Sequence, residues 1–261
     1  MNDKYRIAFI DIDWTILDHE IHDWDYPSLE AIKKAQKEGI KIFFCTARTY
    51  ASVRGTGLFN HVMPDGIITN NGGLTFINDK VTFKKTIPID LVKQTLKVAN
   101  KHNVVLEFAS LKDNYFTRKP NVYVRNYFSI YYEAWPPIKR NEVSDVTEIL
   151  AFIPEKYDEV LLKELPNNVR YFRYDNYGVN ISFFENKKGN AIIKLLDYLG
   201  IDKENALAIG DSQDDISMFE SVGTSIAMGN SKDDLVKEKA TIVADTIENH
   251  GVASIIANLL F

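Results

Sequence analysis

Four short segments carry carboxylates, hydroxyls and a lysine pair at spacings that could serve one reaction. In Asp11-Ile12-Asp13-Trp14-Thr15, two carboxylates lie two residues apart, directly after the apolar run 5–10. Past a strand end both can turn toward one site; the same residues also suit a turn with helix-capping aspartates. Thr46-Ala47-Arg48 follows a second apolar run. A hydroxyl and neighbouring backbone N–H groups there either hold a phosphate oxygen or cap a helix. Lys187-Lys188-Gly189 opens a helical stretch. A cation at that end of the helix dipole is disfavoured, which hints at an anion nearby, although a solvated lysine pair reads the same way. Gly210-Asp211-Ser212-Gln213-Asp214-Asp215 packs three acids into five positions. That set suits a hard cation with oxygen ligands, and it also suits a helix N-terminus.

These segments need elements to position them. Residues 5–10 read as a buried strand, and Leu29, Ile32 and Ala35 share one helical face over 27–38. Pro27 near the start and Gly39 past the end punctuate that helix. Strands over 40–45 and 66–69 follow, and continuous apolar strands separated by a helix imply parallel pairing. After Asn71 the pattern changes. A hairpin over 74–83 turns at Asn78-Asp79-Lys80 and is followed by a helix over 89–102 and a strand over 104–109. Next come an aromatic, helix-like segment over 121–135 broken by Pro136-Pro137, and a strand over 148–153. A helix over 155–164 and strands over 169–174 and 179–184 complete this mixed stretch. Alternation resumes after Lys188: Ile192, Leu195, Leu196 and Leu199 form a stripe closed by Gly200. Strands over 206–209, 224–227 and 241–243 then alternate with helices. All four chemical segments fall at the C-terminal ends of expected strands or the helix starts beside them, where open α/β sheets bind ligands.

Taken together and in this order, the segments resemble the four motifs of the haloacid dehalogenase (HAD) superfamily of phosphatases, over nearly the whole chain. The long insertion resembles the class II, subtype B cap, and the group as a whole resembles Cof-type sugar-phosphate phosphatases. The resemblance implies a Rossmann-like, doubly wound parallel-sheet α/β core from residues 1–80 and 186–261. An α+β cap over 81–185 would be inserted between the second and third motifs. It implies that Asp11 is the nucleophile and Asp13 the general acid and base. One Mg2+ would be held by the Asp11 carboxylate, the Asp13 backbone carbonyl and the Asp211 carboxylate, with Asp215 orienting its waters or binding indirectly. Thr46 and the Ala47 amide would hold phosphate oxygens, and Lys188, or else Lys187, would neutralise charge beside Asp11. Asn71-Gly72-Gly73 resembles a family Asn-Gly-Ala segment, so Asn71 either touches substrate or simply makes a turn.

The expected activity is Mg2+-dependent hydrolysis of a small phosphorylated metabolite, with sugar phosphates leading and phosphorylated cofactors open. A phosphomutase and a catalytically silent binder are the alternatives. A mutase would need cations for a distal phosphate, for which Arg118, Lys119, Arg125, Arg170 and Arg173 are candidates. The aromatics Tyr115, Phe116, Tyr123, Tyr127, Tyr131, Tyr132 and Trp135 either build a core or line a substrate box. Three residues depart from the family pattern: Trp14 and Ala47 replace glycines, and Asp214 replaces an asparagine. The 261 residues are 45% apolar and 26% charged, ordinary for a globular protein, and the net charge of -5 gives no footprint for nucleic acid. The single cysteine, Cys45, excludes an intramolecular disulfide and reads as core. No apolar stretch approaches the roughly 20 residues of a membrane span. With no signal-like h-region, the expected location is cytoplasmic.

Overall fold

A computed structural model describes residues 4–110, 114–131, 135–139, 143–173, 176–183 and 185–260. Tyr132, the far end of the expected helix 121–135, the last residues of the expected strands 169–174 and 179–184, and the side chains of Tyr131 and Arg170 lie outside the described residues. The chain divides into two compact units. The first comprises Met1–Ala47, Gly57–Phe83 and Lys187–Phe261, and the second Arg48–Thr56 and Lys84–Asn186.

The first unit is built on an eight-stranded sheet. From one edge the order is Ile242–Val243, Thr224–Ala227, Ala206–Gly210, Ile7–Ile10, Lys41–Cys45, Gly66–Thr69, Leu74–Ile77 and Lys80–Lys84. The strands from Ile242–Val243 through Gly66–Thr69 run parallel, and Leu74–Ile77 turns back antiparallel. Every residue of Ile7–Ile10, Gly66–Thr69 and Ala206–Gly210 is buried, as strands covered on both faces require. On one face Ile7, Phe9, Phe43 and Ile68 pack with Ile192, Leu195 and Leu196 of the helix Lys188–Leu199. That is the stripe read from the sequence, and Gly200 closes the helix in a left-handed conformation, φ 61°. Helix Tyr26–Lys37 buries Leu29, Ile32 and Ala35 and packs against the helix Gly251–Leu260. The observed sheet is the Rossmann-like α/β core expected from the sequence.

The second unit carries a five-stranded antiparallel sheet, in the order Val169–Arg173, Gly178–Phe183, Val146–Phe152, Val105–Ser110, Asn114–Phe116. Side chains alternate between its faces. Leu106, Phe108, Ile149, Ala151, Val179 and Ile181 pack with helices Ile89–Lys101 and Asp158–Glu164 through Leu91, Val92 and Leu161. On the opposite face Val105, Phe116 and Phe152 pack with Val124, Tyr127 and Phe128 of the helix Val122–Tyr131. Of the aromatics singled out in the sequence, Tyr115, Phe116 and Tyr127 are therefore core, whereas Trp135 is exposed. Arg118 is tied to Asn100 and Asn103, and Arg173 to Asp158 and the Ile153 carbonyl.

Several elements escape the sequence patterns: the two-residue strands Leu17–Asp18 and Asp23–Trp24, the strand Asn114–Phe116, and the short helices Tyr50–Gly55 and Leu58–His61. None is long enough to show a period.

Candidate active site

The site grows from the carboxyl ends of the parallel strands. Asp11 follows Ile7–Ile10, and its amide donates to the Ile209 carbonyl at 2.9 Å, so the ladder with Ala206–Gly210 holds one residue past the strand. Lys188 is the first residue of its helix and is buried. Its ammonium donates to Asp11 Oδ1 at 2.8 Å and to Asp215 Oδ1 at 2.6 Å. The other oxygen of Asp215 accepts from the Asp211 amide at 2.9 Å, the Ser212 amide at 3.0 Å and the Ser212 hydroxyl at 3.1 Å. These bonds make a capping box over the 3₁₀ turn Gln213–Asp215, which is why the expected helix 214–221 begins as a tight turn and is α-helical only over Ile216–Phe219. Gly210 permits the arrangement: a Cβ there would lie 2.4 Å from the Asp215 carboxyl carbon.

Asp11, Asp211 and Asp215 each offer an oxygen, and these oxygens lie within 4.8 Å of one another. Burial pushes the Asp11 carboxyl up; Lys188 pulls it down, Asp215 and Asp13 push it up again, and it settles at about 8. Asp211 is driven well above the usual carboxylate range by burial, then by Asp215 and Asp11. Burial opposes the charge of Lys188, but Asp11 and Asp215 outweigh it and hold the ammonium well above the ordinary lysine value. Three carboxyl groups share one neighbouring ammonium, so charging all of them leaves a negative surplus that these four side chains do not balance. Hard oxygen donors with that surplus fit Mg2+.

Asp13 lies beside this cluster, and its carboxylate engages another partner. Asp13 Oδ1 is 2.6 Å from His19 Nε2. Between them Trp14 adopts φ 57°, in the left-handed region. For a bulky side chain that conformation costs on the order of 1–3 kcal/mol. Glycine would adopt this backbone without strain, and the chain keeps the turn despite the indole. Thr15 is fully buried, and its hydroxyl donates to Asp211 Oδ1 at 3.4 Å.

On the neighbouring strand end, buried Thr46 continues Lys41–Cys45, its amide donating to the Ile68 carbonyl at 2.9 Å. Its own carbonyl accepts from the Asn71 amide at 3.2 Å. Asn70, Asn71 and Gly72 are all left-handed, at φ 55°, 50° and 93°. Gly72 is pressed against the Lys187 carbonyl, which a Cβ would meet at 2.4 Å. Asn71 thus makes a turn, and the turn buries it next to Thr46. Ala47 is half-buried. The structure therefore joins Asp11, Lys188, Asp211 and Asp215 by short contacts, pairs Thr46 with Asn71, and gives Asp13 to His19. Lys187 caps the helix in an extended conformation, so the ammonium between the two carboxylates is that of Lys188. The sequence reading missed His19, Thr15 and Ser212. Thr15 and Ser212 lie inside the quoted segments; nothing in the spacing points to His19.

The model of the haloacid dehalogenase-like hydrolase family matches residues 8–256. Phosphoglycolate phosphatase 1 of Saccharolobus solfataricus is 27% identical over 98% of this chain and 96% of its own length. A 5-amino-6-(5-phospho-D-ribitylamino)uracil phosphatase of Bacillus subtilis is 26% identical over 96% of this chain and 94% of its own. A solved HAD subclass IIB sugar phosphatase, 26% identical, superposes with a TM-score of 0.85 over 97% of this chain and 98% of its own. With its sheet, its strand-end carboxylates and these likenesses in agreement, the chain belongs to the haloacid dehalogenase-like hydrolase family and is a phosphatase of that family.

Proposed function

We propose that the enzyme is a Mg2+-dependent phosphohydrolase acting on a small sugar phosphate through an aspartyl-phosphate on Asp11. The observation that carries this reading is the buried triad of Asp11, Lys188 and Asp215, with Lys188 2.8 Å from Asp11 and 2.6 Å from Asp215. Its position at the ends of parallel strands, and the names of the relatives, support it.

An oxygen of Asp11 attacks phosphorus while the bond from phosphorus to the leaving oxygen breaks, and Asp13 gives its proton to that oxygen. Asp13 then takes a proton from water as the water oxygen attacks phosphorus and the bond to Asp11 breaks, releasing inorganic phosphate. Lys188 neutralises charge between the phosphoryl group and Asp11, and Thr46 and the Ala47 amide hold phosphoryl oxygens. Asn71, turned in beside Thr46, is assigned to the same phosphate pocket. The Asp11 and Asp211 carboxylates and the Asp13 carbonyl, aided by Asp215, would hold Mg2+, which would supply Lewis-acid stabilisation of the transferring phosphoryl group. Residues 81–185 are assigned the role of a cap that selects the substrate.

The test is phosphate release from a panel of phosphorylated metabolites, with and without Mg2+, comparing wild type with Asp11→Asn. The panel includes hexose phosphates, phosphoglycolate and the ribitylaminouracil phosphate. Release that requires Mg2+ and vanishes in Asp11→Asn is expected, fastest with a sugar phosphate. Release that survives the substitution would remove Asp11 as nucleophile.

A further inference from the structure

The turn after the nucleophile strand keeps a tryptophan where the backbone asks for glycine. Trp14 sits at φ 57° and is pinned on both sides. Its amide donates to the Leu17 carbonyl at 2.9 Å, and its carbonyl accepts from Asn230 Nδ2 at 2.8 Å. Asn230 is itself fixed, because its Oδ1 accepts from the Ile247 amide at 2.9 Å. A strained conformation held this firmly points to a task for the side chain rather than for the backbone.

Two groups lie against the indole. The Lys232 ammonium lies 5.4 Å from the ring centroid, and the His19 imidazole lies 5.1 Å away, tilted by 49°. His19 is carried by the tight hairpin of Leu17–Asp18 and Asp23–Trp24, and it is only 8% exposed. Its Nε2 is 2.6 Å from Asp13 Oδ1. Asp13 alone would turn freely about its terminal torsion, which has no sharp preference. Engaging Oδ1 removes that freedom.

We propose that His19, braced by Trp14, is a positioning residue that fixes the Asp13 carboxyl for proton transfer to the leaving oxygen. This rests on the role given to Asp13 under Proposed function. It goes beyond that role in making the hairpin and the indole part of the general-acid apparatus. Small errors in the placement of a reacting group are costly in rate, so the hydrogen bond acts on turnover rather than on substrate affinity.

The test uses two esters that differ in their need for a proton. The phenolate of p-nitrophenyl phosphate leaves without one, whereas the alkoxide of a sugar phosphate does not. kcat/KM is measured for p-nitrophenyl phosphate and for the best sugar phosphate of the panel, in wild type, Asp13→Asn, His19→Leu and His19→Gln. Asp13→Asn should lose about 10²- to 10⁴-fold on the sugar phosphate and far less on the aryl ester. His19→Leu should show the same selectivity at about 10- to 100-fold, in kcat with KM unchanged. His19→Gln, which keeps an N–H near the Nε2 position, should recover most of the loss. If His19→Leu does not fold, Trp14→Gly, which suits the turn and removes the brace, takes its place with the same expectation. Equal losses on both esters, no loss, or a Gln variant as poor as Leu would overturn the proposal. Asp13→Asn inactive on the sugar phosphate beside an unimpaired His19→Leu would sink the positioning role alone. A wild type inactive on both esters, or an unimpaired Asp13→Asn, would sink the reading of the site and the positioning role with it.

Discussion

Both units bury carboxylates, but they treat them differently. In the first unit Asp11 and Asp215 both accept from the ammonium of Lys188, and an oxygen of Asp211 lies within 4.8 Å of theirs. In the second unit, two buried glutamates lie on one face of the antiparallel sheet, and each accepts from a carboxamide. Glu107 bonds Asn114 Nδ2 at 2.8 Å, and Glu148 bonds Asn180 Nδ2. Burial first, and then the like charges beside them, raise both Asp11 and Asp211. Such a cluster is poor architecture, and carboxylates perturbed in this way are typical of functional sites. Carboxylates matched to amide donors are compatible with a framework. The difference predicts that damage to the first cluster costs activity and spares the fold, and that damage to the second unit's core does the reverse.

The largest expected effect tests the first half of that statement. Asp11→Asn should reduce phosphate release by more than about 10⁴-fold, because the amide cannot act as the nucleophile. Its melting temperature without Mg2+ at pH 7 should equal or exceed that of wild type. The protonated Asp11 favoured by a pKa of about 8 is nearly isosteric with asparagine, whose oxygen can still accept from Lys188. A variant that loses activity by melting early would show that the cluster is structural after all.

Next in size is a break in the second unit. Phe108 is fully buried among Tyr115, Ile149 and Ile181, with its ring 5.8 Å from that of Tyr115 and nearly perpendicular to it. Phe108→Ala should cost about 3–5 kcal/mol of stability, from lost transfer energy and the cavity left behind. Urea denaturation followed by circular dichroism measures it. At temperatures well below the new transition, the Mg2+ requirement should persist, since no ligand of the first cluster has changed. Loss of the Mg2+ response in a folded Phe108→Ala would remove the separation between the two units' roles.

How much of this was legible in the sequence depends on element length. The parallel strands and the helix Lys188–Leu199 announced themselves because four or more apolar residues in register leave a pattern, and Gly66–Thr69 and Thr224–Ala227 fall where the pattern put them. The hairpin of Leu17–Asp18 and Asp23–Trp24 has two residues per strand, too few to display alternation, and it alone brings His19 back onto Asp13. So the carboxylates were visible, and the partner that orients one of them was not. The left-handed Trp14 was foreshadowed by the glycine expected there, but its strain and its stacking on His19 depend on contacts across the turn. Likewise the sequence left Asn71 open between a turn and a substrate contact, and the turn and its burial against Thr46 required the backbone.

The smallest expected effect concerns how the first cluster couples metal, protons and stability. Asp11 is raised from an ordinary 3.8 to about 8 in the metal-free fold, and Asp211 is raised in the same sense. Between pH 4 and 8 the folded state therefore binds at Asp11 a proton that the unfolded chain has released. The stability this proton contributes is complete below pH 4 and is lost as pH rises through about 8, at up to about 1.4 kcal/mol per pH unit. Lys188, raised from a value already near 10.5, keeps its charge throughout this window and adds no slope. Mg2+ held by Asp11 would displace this proton, so its stabilisation should grow as the proton leaves unaided. At 100 times its dissociation constant, a ligand that binds only the folded state adds about 2.7 kcal/mol. The increase in melting temperature on adding a fixed Mg2+ concentration should accordingly be small at pH 5.5 and should widen steadily to pH 8.5. In Asp11→Asn the metal-free curve should flatten and the Mg2+ effect shrink. The control is Phe108→Ala, which should lower every melting temperature and leave the widening intact. An Mg2+ shift of equal size at both pH values would mean that the ion does not compete with protons at Asp11 and Asp211, and the contrast between the two units' carboxylates would lose its electrostatic basis.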